Sequence, residues 1–184
     1  WPFQLIYISK TLSLPISSVA TLIAISSATG LTASFVGGAI ADRFGRKPIM
    51  LFAQAAHGLA YILMSQAHTY LGFVLPMTIM GTAMPFYAIG SDAMMADMLP
   101  SEKRTTAYAI LRMINNAGIA IGPAIGGVIV AKSYTLAFSL AAGSMLIYSV
   151  LLLVFAHETL QRKSEPEKTK LRGKLAGYDR IFAD

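Results

Sequence analysis

The chain has 184 residues, of which 55% are hydrophobic and 13% are charged, against roughly 25% charged residues in an average soluble domain. It has a net charge of +6 and no cysteine, which excludes disulfides and thiolate metal sites. Several nearly uncharged apolar runs reach about 20 residues, enough to cross a hydrocarbon core of about 30 Å. The composition therefore indicates a multi-pass membrane protein rather than a soluble or nucleic-acid-binding one.

The apolar runs predict an all-α transmembrane bundle, since they are continuous and do not alternate as the strands of a barrel would. Residues 1 to 8 are too short to span and are interpreted as the end of a truncated first helix. A polar connection is expected at residues 9 to 14, and Pro15, Ser17 and Ser18 offer a start for the second helix. The five further predicted helices cover about 16–41, 47–66, 70–97, 103–131 and 134–156.

The segment after the sixth helix differs in composition from the bundle before it. Residues 1–156 are predicted to form the helical bundle, whereas residues 157–177 are polar with mixed charges and predict a solvated linker, with lipid-headgroup contact as the alternative. Residues 178–184 are interpreted as the start of a seventh helix. The chain also begins without methionine, so we expect it to be a fragment.

The distribution of basic residues predicts the orientation of the bundle. The turns after the second, fourth and sixth predicted helices carry 12 of the 15 lysines and arginines. The opposite side has only Lys10 and Lys132, and Arg112 lies within the fifth helix. By the positive-inside rule, the turns after helices 2, 4 and 6 are expected on the cytoplasmic side of the cell membrane.

Two glycine patterns lie in this bundle. Helix 2 carries Gly30, Ser34 and Gly38 four residues apart, a small-residue stripe that allows close helix approach in lipid. In helix 5, Pro123 is expected to bend the chain within a run of glycines that also favours close packing. The glycines of that run are Gly118, Gly122, Gly126 and Gly127.

The turn after helix 2 reads G-x-x-x-D-R-x-G-R-K. Its defining residues are Gly38, Asp42, Arg43, Gly45, Arg46 and Lys47. Asp42 faces the negative end of the helix dipole and needs a compensating cation, for which Arg46 is the nearest candidate. Gly45 allows the left-handed conformation that a short turn needs.

This turn resembles the loop between the second and third transmembrane helices of the major facilitator superfamily of secondary transporters. The helix 5 pattern G-x-x-x-G-P-x-x-G-G is similar to the one typical of exporters in that superfamily, especially drug/proton antiporters. The resemblance implies the N-terminal half of a twelve-helix transporter that works by alternating access. It also implies that the turn is a conformational latch: Asp42 docks on the missing C-terminal half, and Arg46 pairs with an acid at the end of helix 4, here Asp97.

The resemblance further implies that the partners are a small amphipathic substrate, protons, the lipid bilayer and the missing C-terminal half, without a cofactor. Candidate proton or substrate groups are Asp92 and Arg112, which lie at similar depth on neighbouring helices and could form a pair. His57, Asn115 and Asn116 complete this set. For each, a purely structural role is an open alternative.

The sequence departs at two places from motifs of particular branches of the superfamily, and both departures bear on function. Helix 4 has Met77 where many proton antiporters of the superfamily carry arginine, and residues 156–160, Ala-His-Glu-Thr-Leu, differ from the Pro-Glu-Ser-Pro-Arg of sugar porters. An uptake permease for another solute is the runner-up, followed by a receptor or scaffold that does not transport. The sequence shows no cluster of His, Asp or Ser within the membrane that would predict an enzyme or a metal site.

Overall fold

The computed structural model describes residues 2–160, and every regular element in that range is an α-helix. The helices are α1 (Pro2–Leu12), α2 (Ile16–Phe44), α3 (Arg46–Gln66), α4 (Tyr70–Met98), α5 (Ser101–Lys132) and α6 (Tyr134–Phe155). The five helices α2 to α6 are long and apolar enough to cross a membrane. The prediction of an all-α bundle is confirmed. The predicted linker beyond Leu160 and the predicted seventh helix lie outside the described residues.

The first connection differs from the sequence prediction. Residues 9–12 continue α1 rather than forming a polar loop, and the chain turns at Ser13, whose φ of 52° lies in the left-handed region. Ser17 and Ser18 lie inside α2 and do not cap it; the preceding residue, Pro15, is extended and makes no side-chain cap. The predicted connection thus begins four residues too early, because Leu12 still packs against the main apolar core.

Helix α4 lies at the centre of the described bundle, packed along α2 on one side and α3 on the other, while α3 also packs against α6. The main apolar core gathers side chains from α1, α2, α3, α4 and α6. Its largest fully buried members are Ile8, Val19, Leu22, Met64 and Phe73. Tyr7 packs edge-on against Phe73 and Phe138, which ties α1 to α4 and α6.

Glycines set the distance between α2 and α4. A Cβ at Gly30 would lie 3.0 Å from the carbonyl oxygen of Gly81, and a Cβ at Gly81 would overlap the carbonyl oxygen of Ser26. In lipid the hydrophobic effect does not drive helices together, so the van der Waals contacts made at such a close approach stabilise the pair instead. Of the predicted stripe, Gly30 makes this close approach, whereas Gly38 has nothing within 4 Å of its Cβ position and Ser34 is exposed.

Helix α5 is the least packed of the helices. It has no buried residue and only narrow contact with α4 and α6. Its contribution to the cavities described below is limited to Leu111, Ile114 and Asn115.

The close approach at Gly81 leads to a prediction about stability. Gly81→Ala is expected to destabilise the bundle by about 1–3 kcal/mol, because overpacking forces helices apart, and the new Cβ would also lie 2.5 Å from Thr29 Oγ1. Thermal unfolding of the purified protein in detergent measures this loss. Gly143→Ala is the matched control, since nothing lies within 4 Å of its Cβ position. Equal unfolding midpoints for the two variants would contradict the α2–α4 packing described here.

Candidate functional site

A single residue separates α2 from α3. Gly45 has φ 107° and ends α2 with a hydrogen bond from its N–H to the carbonyl oxygen of Ala41 (3.0 Å). This φ is strained for any residue with a Cβ. The conformation therefore favours glycine at this position, and a Cβ there would also lie 2.5 Å from Glu158 Oε2, so that this carboxylate would have to move.

Arg46 is the buried charge of this turn. Its side chain is 13% exposed, and its Nε lies 3.0 Å from Asp97 Oδ2 at the end of α4, the pair that the sequence analysis expected. A second, longer contact of 3.4 Å joins Arg46 to Asp42, whose side chain is 74% exposed. The contact of Nε with Asp97 is an ion pair without hydrogen-bond geometry, the contact with Asp42 is made by Nη2, and Arg46 Nη1 lacks a hydrogen-bond partner within residues 2–160. The role of these residues as a latch stays a prediction.

Glu158 caps the start of α3, a contact that the sequence analysis missed. Its carboxylate accepts hydrogen bonds from the backbone N–H groups of Arg46 and Lys47, each at 3.0 Å. In return, Lys47 Nζ donates to the carbonyl oxygen of Leu153 near the end of α6 (2.8 Å). The negative charge of Glu158 lies at the positive end of the α3 dipole, and the positive charge of Lys47 lies at the negative end of the α6 dipole. The ends of α3 and α6 thus cap each other.

A signal for this cap was available in the sequence. Gly45 precedes α3 and has no side chain with which to cap it, so the free N–H groups need an acceptor from elsewhere. Glu158 is the first carboxylate after α6, in the segment interpreted as a solvated linker. Thr159 Oγ1 also donates to Asp97 Oδ2 at 3.0 Å, so residues 158 and 159 contact the ends of both α3 and α4. We call Asp42, Arg46, Asp97, Glu158 and Thr159 the turn cluster.

The hydrogen bonds around Glu158 affect its titration. Burial raises the pKa of the carboxyl group, but backbone N–H groups of Leu160, Arg46, Lys47 and Thr159 lower it, and the net pKa is below its ordinary value. The folded protein therefore favours the charged form of Glu158.

The exporter-like pattern of α5 divides into two parts. Gly118 and Gly122 have nothing within 4 Å of their Cβ positions, whereas Gly126 and Gly127 lie against the ring of Phe3 in α1. Pro123 lies inside a helix that continues to Lys132. The close packing expected from Gly118 and Gly122 is therefore not made to the described helices.

A cavity of about 490 Å³ lies between α1, α3, α4, α5 and α6, and we call it the central cavity. Its apolar lining is Met80, Met84, Leu111, Ile114 and Met145, and its polar lining is Gln4, Gln54, His57, Tyr61, Tyr87, Asn115 and Tyr148. Most of these residues lie near the middle of their helices. The hydroxyl groups of Tyr87 and Tyr148 are 2.6 Å apart, and His57 stacks on Tyr61.

The structure separates the predicted proton or substrate residues. His57 and Asn115 line the central cavity, whereas Asp92, Arg112 and Asn116 are exposed and do not. No ion pair joins Asp92 to Arg112 within residues 2–160. The backbone carbonyl of Asp92 instead accepts a hydrogen bond from Tyr108 (2.9 Å). The same part of the chain contains no group of three His, Asp or Glu side chains able to hold a metal ion.

Comparison with known proteins identifies the family. The model of the Major Facilitator Superfamily matches residues 1–183. The chain belongs to this superfamily. The fold agrees, because the crystal structure of a peptide transporter, POT, with bound sulfate superposes with a TM-score of 0.71 at 17% identity, over 98% of this chain and 41% of that one.

Several curated relatives in the superfamily are similar in sequence. A Na(+), Li(+), K(+)/H(+) antiporter of Planococcus maritimus is 30% identical over 95% of this chain and 43% of its own length. The class H tetracycline resistance protein of Pasteurella multocida is 33% identical over 69% of this chain and 32% of its own length. Multidrug resistance protein 1 of Bacillus subtilis is 27% identical over 96% of this chain and 44% of its own length. The chain spans less than half the length of these relatives.

The cap at Glu158 predicts a pH-dependent stability. Because the folded pKa lies below the ordinary 4.5, the carboxylate stabilises the fold at pH values above about 4.5, and this stabilisation is lost as the pH falls through the folded pKa. Glu158→Gln is expected to lower stability by about 1 kcal/mol at pH 7, the typical contribution of a helix cap. Thermal midpoints of parent and variant, measured from pH 8 to pH 3, are expected to converge below pH 4.5.

The matched control for this experiment is Asp92→Asn. Asp92 is an exposed acid within α4 whose carboxylate makes no hydrogen bond or ion pair within residues 2–160. Its variant is expected to unfold as the parent does. A difference between parent and Glu158→Gln that persists unchanged to pH 3 would contradict the cap.

Proposed function

We propose that the chain is the N-terminal half of a secondary active transporter that exports small amphipathic compounds in exchange for protons. The central cavity carries this proposal, because side chains from five helices converge there at mid-depth in the bundle, where superfamily transporters bind substrate. The names of the tetracycline and multidrug resistance relatives support export, and the antiporter relative supports ion coupling. A C-terminal half would close the other side of the site.

The lining of the central cavity favours amphipathic organic substrates. Methionines offer an adaptable apolar surface, and tyrosine, glutamine and asparagine supply a few hydrogen bonds. The described lining contains no carboxylate, which is the ligand that a cavity for metal cations most needs. This half therefore fits an organic compound better than the Na(+), Li(+) or K(+) in the name of the antiporter relative.

Proton coupling in this half is assigned to His57. It is the side chain in the described lining that ordinarily changes charge near neutral pH. Asp92 and Arg112 are less suited to this role, since both are exposed and unpaired with each other.

The turn cluster is proposed to control conformation rather than to bind substrate. Arg46 is held between Asp97 and Asp42, while the side chain of Asp42 remains 74% exposed and free to dock on a second half. The positive-inside rule places this cluster on the cytoplasmic side. Residues 157–177 would then be the cytoplasmic linker between the halves, and residues 178–184 the start of helix 7.

A dye-efflux and drug-susceptibility panel on the whole protein, with and without a proton uncoupler, tests this function. Expression is expected to increase resistance to amphipathic drugs and to drive dye efflux that the uncoupler abolishes. Efflux that survives uncoupling would refute the antiport mechanism, and net uptake of the dyes would favour a permease. His57→Gln is expected to retain dye binding but to lose most efflux driven by an imposed pH gradient; unchanged efflux would refute the assignment to His57.

The separation of cavity from turn cluster predicts two distinct kinetic effects. Asp42→Asn is expected to slow transport severalfold while leaving the apparent substrate affinity unchanged, because Asp42 lies outside the central cavity. Tyr148→Phe, which removes only a cavity hydroxyl, is expected to weaken apparent affinity with less effect on maximal rate. Transport kinetics in proteoliposomes measure both. A pure loss of affinity in Asp42→Asn would contradict the latch.

A further inference from the structure

A second cavity of about 480 Å³, here called the outer groove, lies between α3 and α4. Its walls include Phe52, Ala56 and Leu59 of α3 and Ile79, Thr82 and Phe86 of α4. The central cavity uses Met80, Met84 and Tyr87 of α4 instead. At 100° per residue these two sets lie on different faces of α4, so the outer groove opens away from the central cavity.

The outer groove is apolar and accessible from outside the bundle. Phe52 and Leu59 are 67% and 50% exposed. Thr82 donates its hydroxyl to the carbonyl oxygen of Thr78 one turn earlier (2.8 Å), so this polar group is satisfied within α4. In a bilayer, only hydrocarbon can fill such a groove without leaving polar groups unpaired, and filling it restores dispersion contacts that an empty groove lacks.

A basic hollow of about 390 Å³ lies at the α2–α3 turn. Its lining includes Arg43, Phe44, Lys47 and Pro48. Pro48 lies one turn before Phe52 on the same face of α3, roughly 6 Å away along the helix axis. One residue of the hollow and one residue of the groove therefore lie on the same face of α3, a single turn apart.

The charge of this hollow remains positive after its acid is counted. Glu158 also lines the hollow, but its carboxylate accepts three backbone hydrogen bonds. Lys47 Nζ donates to the carbonyl oxygen of Leu153, and Arg43 has no ion-pair partner within residues 2–160. The guanidinium of Arg43 lies 5.5 Å from the ring centre of Phe44, at the exposed edge of the turn.

We propose that the outer groove and the basic hollow form a binding site for one anionic phospholipid. An acyl chain occupies the groove, and the headgroup phosphate contacts Arg43, because Lys47 Nζ already donates to Leu153. The lipid belongs to the leaflet next to the α2–α3 turn. This site is independent of transport, because it needs only that the helices lie in a bilayer.

Fluorescence quenching by brominated lipids tests the site in the whole protein reconstituted into vesicles. Phe52→Trp places a fluorescent tryptophan in the groove. Because the parent already contains Trp1, the fluorescence of the new tryptophan is obtained by subtracting that of the parent. Dibromo-phosphatidylglycerol is expected to associate about fivefold more tightly than dibromo-phosphatidylcholine, since each basic residue near the surface contributes about 1 kcal/mol. Adding Arg43→Gln is expected to reduce this ratio to about one.

Ile147→Trp is the matched control, since Ile147 of α6 is also exposed (65%) but does not line the groove or the hollow. At Ile147→Trp, dibromo-phosphatidylglycerol and dibromo-phosphatidylcholine are expected to associate about equally. Leu59→Trp reports from the other end of the groove if Phe52→Trp does not fold. Three results would each overturn the proposal. The two lipids could associate equally at the groove, the preference for the anionic lipid could be as strong at Ile147→Trp as at the groove, or it could survive Arg43→Gln.

Discussion

The join between α2 and α3 constrains one whole end of the bundle. Since only Gly45 separates the helices, α3 starts with free N–H groups and no side chain of its own at the cap position. Glu158, three residues after the end of α6, supplies the missing acceptor, and Lys47 Nζ donates a hydrogen bond to a carbonyl oxygen near the end of α6. These contacts bring residues 157–160 back onto the bundle, where Thr159 reaches Asp97. The buried Arg46 thus lies in a ring of contacts from the ends of α2, α3, α4 and the segment after α6.

A second constraint is the close approach of α2 and α4 at Gly30 and Gly81. Helices in lipid associate through packing and hydrogen bonds, so small residues decide which pairs approach closely. This contact fixes α4 at the centre of the described bundle. One face of α4 then lines the central cavity and another lines the outer groove, and the same holds for α3, so these two helices separate the proposed substrate site from the proposed lipid site.

The two sites differ in the chemistry that they offer. The central cavity mixes methionine with tyrosine, glutamine, asparagine and histidine, which suits a ligand that is partly polar. The outer groove is almost entirely apolar, and the basic side chains line the hollow at the α2–α3 turn. Because the turn cluster and the basic hollow share the same turn, lipid bound at Arg43 would lie beside the groups proposed to control conformation.

The sequence by itself determined the family, the helical class and the positions of the five spanning helices, because apolar runs and the α2–α3 turn pattern are local signals. It also identified Asp97 as the partner of Arg46, although by family resemblance rather than by physical derivation. The tertiary structure alone decided which intramembrane polar residues meet: His57 and Asn115 line the central cavity, whereas Asp92 and Arg112 remain apart. It also revealed the cap at Glu158, more than 100 residues from its partners. The sequence shows that the start of α3 needs an acceptor, but it does not show which residue supplies it or which intramembrane polar residues meet. Side-chain packing across the whole bundle sets the helix rotations and the return path of the chain on which these contacts depend.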